Sequence, residues 1–270
     1  MNEESVKLER RCPLCGGNFY SLTPYGNEIW PIVNCRLCGF AYLPFVPDSL
    51  HLADELAWEK TSAAETLRKR QKHPFSKEIS NRYQRLRKNF FKRHKLKRLL
   101  KQFVNGGHLL DVGCAGGNFL ADLPESFVPY GIEVSRKLAE KAANKVERRQ
   151  GRILQGLAVS CMIEMSAGVL DCIIMSAFLE HESQPQELLS ETYRILKPGG
   201  LVIIKVPNYA SILRRLQKMD WCGFRLPDHV NYFTPKTLRI MCEMNKFKVK
   251  KFNVFDYFPL SDNMWMVLEK

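Results

Sequence analysis

Apolar residues fall along this chain in two rhythms, and their alternation describes its larger part. Short apolar runs recur from residue 108 onward, at His108–Val112, Phe127–Val134, Arg152–Gln155, Leu170–Phe178 and Leu201–Val206. Runs of this length, bounded by glycine, proline or polar residues, read as buried strands of a parallel sheet. Helical stretches separate them. Ser135 opens one that reaches about Glu147, and Pro185 opens another through Leu196. Lys197-Pro198-Gly199-Gly200 then predicts a sharp stop and turn. Residues 157–169 fit helix or loop equally. A polar and aromatic insertion follows Val206 and runs to Phe233, after which Thr234-Pro235 caps a helix to about Asn245. Lys248–Phe258 and Met264–Leu268, joined across Pro259–Asn263, predict an antiparallel hairpin. The pattern is α/β, with a seven-stranded sheet closed by a C-terminal hairpin.

The first hundred residues follow neither rhythm cleanly. Cys12-Pro13-Leu14-Cys15 and Cys35-Arg36-Leu37-Cys38 are two C-x-x-C knuckles with nineteen residues between them, each followed by glycine. Four thiolates at this spacing can close a tetrahedral metal site, and a closed site is structural. The match is to zinc ribbons; an iron site of the same geometry and a pair of disulfides are the alternatives, the disulfides disfavoured in a reducing compartment. A module of about 45 residues has too little core to fold without its metal. Pro44, Pro47 and Asp48 mark its exit. Residues 49–66 have helical spacing, His73-Pro74 breaks it, and from Ile79 an apolar stripe through Tyr83, Leu86, Phe90, Leu96, Leu99, Leu100 and Phe103 predicts an amphipathic helix of about 25 residues. Gly106-Gly107 ends it, so it should lie over the carboxyl end of the following sheet or beside it. Three units result: a zinc ribbon at 1–47, a basic helical segment at 48–104, and an α/β domain at 105–270.

Composition changes this picture in one respect. A chain of 270 residues with 45% hydrophobic and 26% charged residues is an ordinary globular protein. No apolar stretch is long enough to span a membrane, and the polar, acidic Met1–Ser5 is unlike a secretory signal, so the expected compartment is the cytoplasm. The formal charge of +13 is local, however. Residues 68–101 hold fifteen Lys or Arg against the single acid Glu78, a balance of +14, leaving about −1 elsewhere. That segment is either a solvated helix face or a surface for an anionic partner such as RNA.

The candidate chemistry begins where the first strand ends. Asp111-Val112-Gly113-Cys114-Ala115-Gly116-Gly117 is a strand, then a glycine turn, then a helix start. A dinucleotide fingerprint would need glycine at 115 and 118, where Ala115 and Asn118 stand. A carboxylate at 111 disfavours a pyrophosphate and favours a cationic ligand. Glu133, closing Gly131-Ile132-Glu133, can accept hydrogen bonds from two ribose hydroxyls. Together with Leu179-Glu180-His181 and Leu196-Lys197-Pro198-Gly199-Gly200-Leu201, these motifs resemble the class I S-adenosylmethionine (SAM)-dependent methyltransferases over residues 105–270. The resemblance implies a Rossmann-like fold, SAM held by Asp111, Gly113, Cys114, Ala115 and Gly117, and its ribose held by Glu133. The acid that this family often places after strand three is missing, since Gly156-Leu157-Ala158 stands there.

Methyl transfer from a sulfonium needs an aligned nucleophile and, for many acceptors, a base. His181 is the first candidate base, with Glu180 orienting it or acting beside it; His229, in Asp228-His229-Val230-Asn231-Tyr232-Phe233-Thr234-Pro235, is the second. Packing and surface-loop roles compete with these. Trp221-Cys222-Gly223-Phe224 is a candidate pocket wall. Quinone-biosynthesis methyltransferases carry a metal-binding Glu-x-x-Glu-His here; Ala177 replaces the first of these residues, so no catalytic metal is expected. The leading expectation is a SAM-dependent methyltransferase with a structural Zn2+ and a small-molecule acceptor such as a sugar or glycan precursor. The order of ribbon and catalytic domain is similar to that of the deoxysugar C-methyltransferases, which carry a further C-terminal domain. The alternatives are an RNA methyltransferase holding phosphates through residues 68–101, as resembles certain rRNA enzymes with four-ligand zinc modules, and a non-catalytic SAM-binding module.

Overall fold

The computed structural model describes residues 7–47 and 93–270. The expected helix at 49–66, the break at His73-Pro74, the first half of the stripe beginning at Ile79 and the basic residues 68–92 lie outside the described residues. The N-terminal part is all strand: β1 (Lys7–Glu9), β2 (Tyr20–Gly26), β3 (Pro31–Cys35), β4 (Ala41–Tyr42) and β5 (Phe45–Pro47). Helix α1 (Arg93–Phe103) then leads into β6 (Gly107–Val112), α2 (Asn118–Ala121), β7 (Phe127–Glu133), α3 (Arg136–Val146) and β8 (Arg152–Gln155). The ambiguous segment contains a short helix, α4 (Ala158–Ile163), before β9 (Leu170–Ser176), α5 (Pro185–Ile195) and β10 (Leu196–Pro207). The insertion holds α6 (Ile212–Gln217) and β11 (Asn231–Tyr232), and the chain closes with α7 (Pro235–Met244), β12 (Lys248–Lys251) and β13 (Asn263–Glu269).

Seven strands form one sheet in the order β12-β13-β10-β9-β6-β7-β8. The inner strands are parallel, and β13 runs antiparallel to both β10 and β12. The chain winds outward from β6 through β7 and β8, then crosses to β9 on the other side. Ligands of open α/β sheets sit at the carboxyl ends of such a reversal, here between β6 and β9. Both faces are covered, which is why the strands read as continuous apolar runs. Leu109, Cys172, Ile174, Leu201, Ile203 and Val267 pack on the face of α1 and α3. Leu110, Ile173, Met175, Val202 and Ile204 pack on the other face, with α4, α5, α7 and part of the ribbon.

The structure corrects two expectations. Residues 197–200 do not separate helix from strand: Leu196 already pairs with Leu170 and Leu201 with Cys172, so the four residues bulge within β10. Gly199, at φ +74°, allows that bulge, and its N–H donates to the Lys270 carbonyl at 3.2 Å. The strand expected to reach Phe258 stops at Lys251, because Asp256 caps a turn with Asn253 and pairs with Lys95 of α1 at 3.1 Å. Of the two placements expected for the helix before the sheet, α1 takes the one beside it, on a face, with Leu99 and Leu100 in the core. Two helix starts match the sequence reading: Ser135 caps α3, and Thr234 caps α7 with Pro235 in its first turn.

The ribbon does not stand apart. Its strands and β11 of the insertion form a four-stranded sheet, β11-β4-β3-β2, with Asn231 opposite Tyr42 and Tyr232 opposite Ala41. A shared aromatic core lies beneath it, including Trp30, Tyr209, Trp221, Phe224 and Tyr232. Trp221 and Phe224, read from sequence as pocket wall, are buried in this core, where the Trp221 indole donates to Asp262 at 2.9 Å.

Candidate active site

Strand β6 carries Asp111 to the carboxyl edge of the sheet, and the chain then turns sharply. Gly113 (φ +75°) and Gly117 (φ +70°) both adopt left-handed backbone. A Cβ on Gly113 would stand 2.7 Å from the Phe178 ring, and one on Gly117 would stand 2.8 Å from Cα of Ala142. Glycine is required at both on two grounds, conformation and space. Ala115 takes the same region at φ +47°, where an L-residue costs about 1–2 kcal/mol. The strain is held by a hydrogen bond: the Ala115 N–H donates to Oε2 of Glu133 at 2.8 Å, while the Ser135 N–H donates to Oε1 at 3.0 Å. One carboxylate therefore ties the glycine loop to the end of β7.

Asp111 and Glu133 are 7% and 8% exposed. Burial, and then repulsion from Glu133, pushes the Asp111 carboxyl up to about 8. A cationic ligand beside it would restore the ionised form, so the crevice has the electrostatics expected of a sulfonium and ammonium site. The same burial and the same two acids raise the Cys114 thiol, which keeps it protonated. Its sulfur occupies the space a Cβ on Gly131 would need, 2.6 Å away.

A second cluster forms beyond β9. Ala177 turns the chain at φ +61°, and Glu180 and His181 follow. His229 arrives from the insertion, its ring 4.6 Å from that of His181 and edge-on at 88°. The donor atoms of Glu180, His181 and His229 lie within 4.8 Å of one another. Sequence reasoning had each histidine as a separate candidate; the fold makes them neighbours. Each Nδ1 meets a backbone carbonyl, Asp228 at 2.9 Å for His181 and Gly223 at 2.8 Å for His229. A carbonyl only accepts, so Nδ1 carries a proton in both rings. Burial, and then the nearby charge of Arg225, lowers the His181 pKa to about 4, so the ring is neutral at physiological pH. Glu180 is fully buried and raised to about 7 by that burial, with Lys205 and Arg225 opposing the rise. Its Oε2 has no hydrogen-bond partner among the described residues. Three donors could in principle take a cation, yet two positive side chains already press on this carboxyl. Arg225, itself paired with Asp228 at 3.2 Å, carried no signal in the sequence.

The four knuckle cysteines converge as their spacing predicts. Sγ of Cys12 lies 3.5 Å from that of Cys38, and Cys15 lies 3.5 Å from Cys35, with all four within 4.8 Å. Disulfide sulfurs would be about 2.0 Å apart, whereas ligands of one tetrahedral zinc stand about 3.8 Å apart. The cluster fits a zinc ribbon. Burial pushes Cys12 and Cys38 upward; at Cys35 the N–H groups of Cys38 and Leu37 outweigh burial and bring the thiol down to about 7. A cation at the centre would drive all four to thiolate.

A family model described as a methyltransferase domain matches residues 81–251. A ubiquinone biosynthesis O-methyltransferase of Coxiella burnetii is 25% identical over 166 residues, covering 59% of this chain and 71% of that protein. One from Albidiferax ferrireducens is 24% identical over 208 residues, covering 70% and 81%. Among solved structures, a SAM-dependent methyltransferase from Archaeoglobus fulgidus superposes with a TM-score of 0.54 at 20% identity, covering 66% of this chain and 92% of that one. The match over most of the catalytic half, on this sheet order and this glycine loop, makes the chain a member of the class I SAM-dependent methyltransferases.

Proposed function

We propose that this methyltransferase acts on a small hydroxylated acceptor of the sugar or glycan-precursor type, with His181 as the base. The observation that carries the reading is neutral His181, edge-on to His229 and beside buried Glu180, on the loop that leaves the strand next to the cofactor crevice. Asp111 and the turn Gly113–Gly117, with Cys114 and Ala115 between, hold the amino-acid end of SAM, and Glu133 accepts from its ribose. The bound cofactor supplies a methyl group already activated by its sulfonium. His181 Nε2 accepts the acceptor's hydroxyl proton as the oxygen becomes a nucleophile, and the Asp228 carbonyl at Nδ1 and the edge-on His229 ring hold that imidazole in place. A base of this kind contributes about 10²–10⁴-fold. The relatives above, named for O-methyl transfer in ubiquinone biosynthesis, support an oxygen acceptor of small size. Cys12, Cys15, Cys35 and Cys38 hold a structural Zn2+, with no position open for substrate.

The test is a screen of hydroxylated metabolites with methyl-labelled SAM, alongside total RNA. Label in a small molecule is expected, with kcat falling about 10²–10⁴-fold in His181→Ala. Label found only in RNA would overturn the acceptor class, and an unchanged kcat would overturn the base. Of residues 68–101, Lys95 and Lys97 among the described ones pair with Asp256 and Asp122.

A further inference from the structure

The residue joining the cysteine knuckle to the proposed catalytic loops is Arg10, two positions before Cys12. Its Nε donates to the Leu43 carbonyl of the ribbon at 2.9 Å. Nη1 donates to the carbonyl of Ser183, two residues beyond His181, at 3.0 Å. Nη2 donates to the carbonyl of Val230 and to Oδ1 of Asn231, immediately beyond His229. One planar fork therefore spans three segments that are distant in sequence, by 33, 173 and 221 positions. The segments it touches are also bonded to each other. The N–H groups of Val230 and Asn231 donate to the Glu180 carbonyl, and the Asn231 amide donates to the carbonyls of Leu179 and Glu182 at 2.9 and 2.7 Å. None of these bonds reaches the Asp111–Glu133 crevice.

We infer that Arg10 is a positioning residue for methyl transfer: it couples the folded, metal-loaded ribbon to the His181–His229 geometry and leaves cofactor binding alone. Guanidinium geometry is what the site uses. Four bonds in fixed directions from one plane suit arginine, whereas a lysine ammonium on a flexible stem cannot reach three carbonyls and an amide oxygen from the same position. The effect on catalysis rests on the proposed role of His181. The geometric tie does not.

The experiment compares Arg10→Lys with Arg11→Lys, a change at the exposed neighbour, in the full zinc-loaded chain. Arg10→Lys is expected to lower kcat at least tenfold while the Kd for S-adenosylhomocysteine stays within about twofold, since the crevice is separate. The acid limb of the kcat–pH profile should move upward from about pH 4, toward an ordinary histidine near 6.5, as water reaches the loosened His181. Amide hydrogen exchange should quicken at 179–183 and 229–232 but not at 111–117. Arg11→Lys should change none of these. A folded Arg10→Lys protein with unchanged kcat and pH limb would overturn the inference. So would a loss of homocysteine-product affinity in step with kcat, which would mark a general loosening. If no acceptor is methylated even by the unaltered chain, the exchange pattern still decides the tie, because uniform or absent quickening would overturn it.

Discussion

Asp111 is the residue at which burial and charge are most opposed. In the folded, cofactor-free protein its carboxyl stays protonated up to about pH 8, whereas in the unfolded chain it ionises near the ordinary 3.8. Between these values unfolding releases a proton, so raising the pH across this window lowers the stability of the cofactor-free protein. Asp111→Asn removes that penalty. Its melting temperature should exceed that of the unaltered protein by little at pH 4 and by roughly 2–4 °C or more at pH 8, each 1 kcal/mol being worth about that much in a chain of this size. The same change should weaken S-adenosylhomocysteine binding about 10–100-fold by removing a charged acceptor. Calorimetry of the variant at both pH values checks the pair; a lower melting temperature at pH 8 would mean that Asp111 is already ionised in the fold. Sequence reading found this carboxylate because it stands two residues before a glycine turn. It had no access to the burial that sets its pKa.

At the scale of elements, helix starts and the ends of β6 and β8 are legible in the sequence, whereas the end of β12 and the course of β10 are not. Thr234 caps α7 through a reciprocal capping box with Thr237, whose hydroxyl accepts from the Thr234 N–H at 2.9 Å. Thr234→Ala should cost about 1 kcal/mol, visible as a small fall in melting temperature with cofactor affinity unchanged. A cap is a local contact, readable from four consecutive residues. The end of β12 is set by the turn between Asn253 and Asp256, which Lys95, more than 150 positions earlier, pairs from α1. The bulge at 197–200 likewise looked like a turn because its glycines are turn residues; pairing with β9 and with the chain's end absorbed them into the strand.

For the molecule as a whole, the ribbon and the catalytic half share a sheet, since β11 of the insertion pairs with β4 as the fourth strand beside β2 and β3. Removing the metal with a chelator should therefore do more than unfold the first 47 residues. A loss of about 2 kcal/mol or more, roughly 4–8 °C in melting temperature, should accompany rapid exchange at Asn231 and Tyr232, while the glycine loop stays protected. Unchanged melting with unchanged exchange would show that the four cysteines stabilise the fold without a metal. No helix among the described residues is long and apolar enough to cross a membrane.

The sequence by itself determined the alternation of strand and helix, the knuckle pairs and the glycine loop, because each is written in residues close together. Apolar runs, C-x-x-C spacing and Asp-x-Gly patterns act through neighbours, and local sterics and chelate geometry do the rest. Which histidine accompanies His181, what charges flank Glu180 and how the ribbon reaches the site were decided only by the tertiary structure. Those relations are set by burial and by contacts between segments up to 221 positions apart, and desolvation, unlike periodicity, has no signature along a chain.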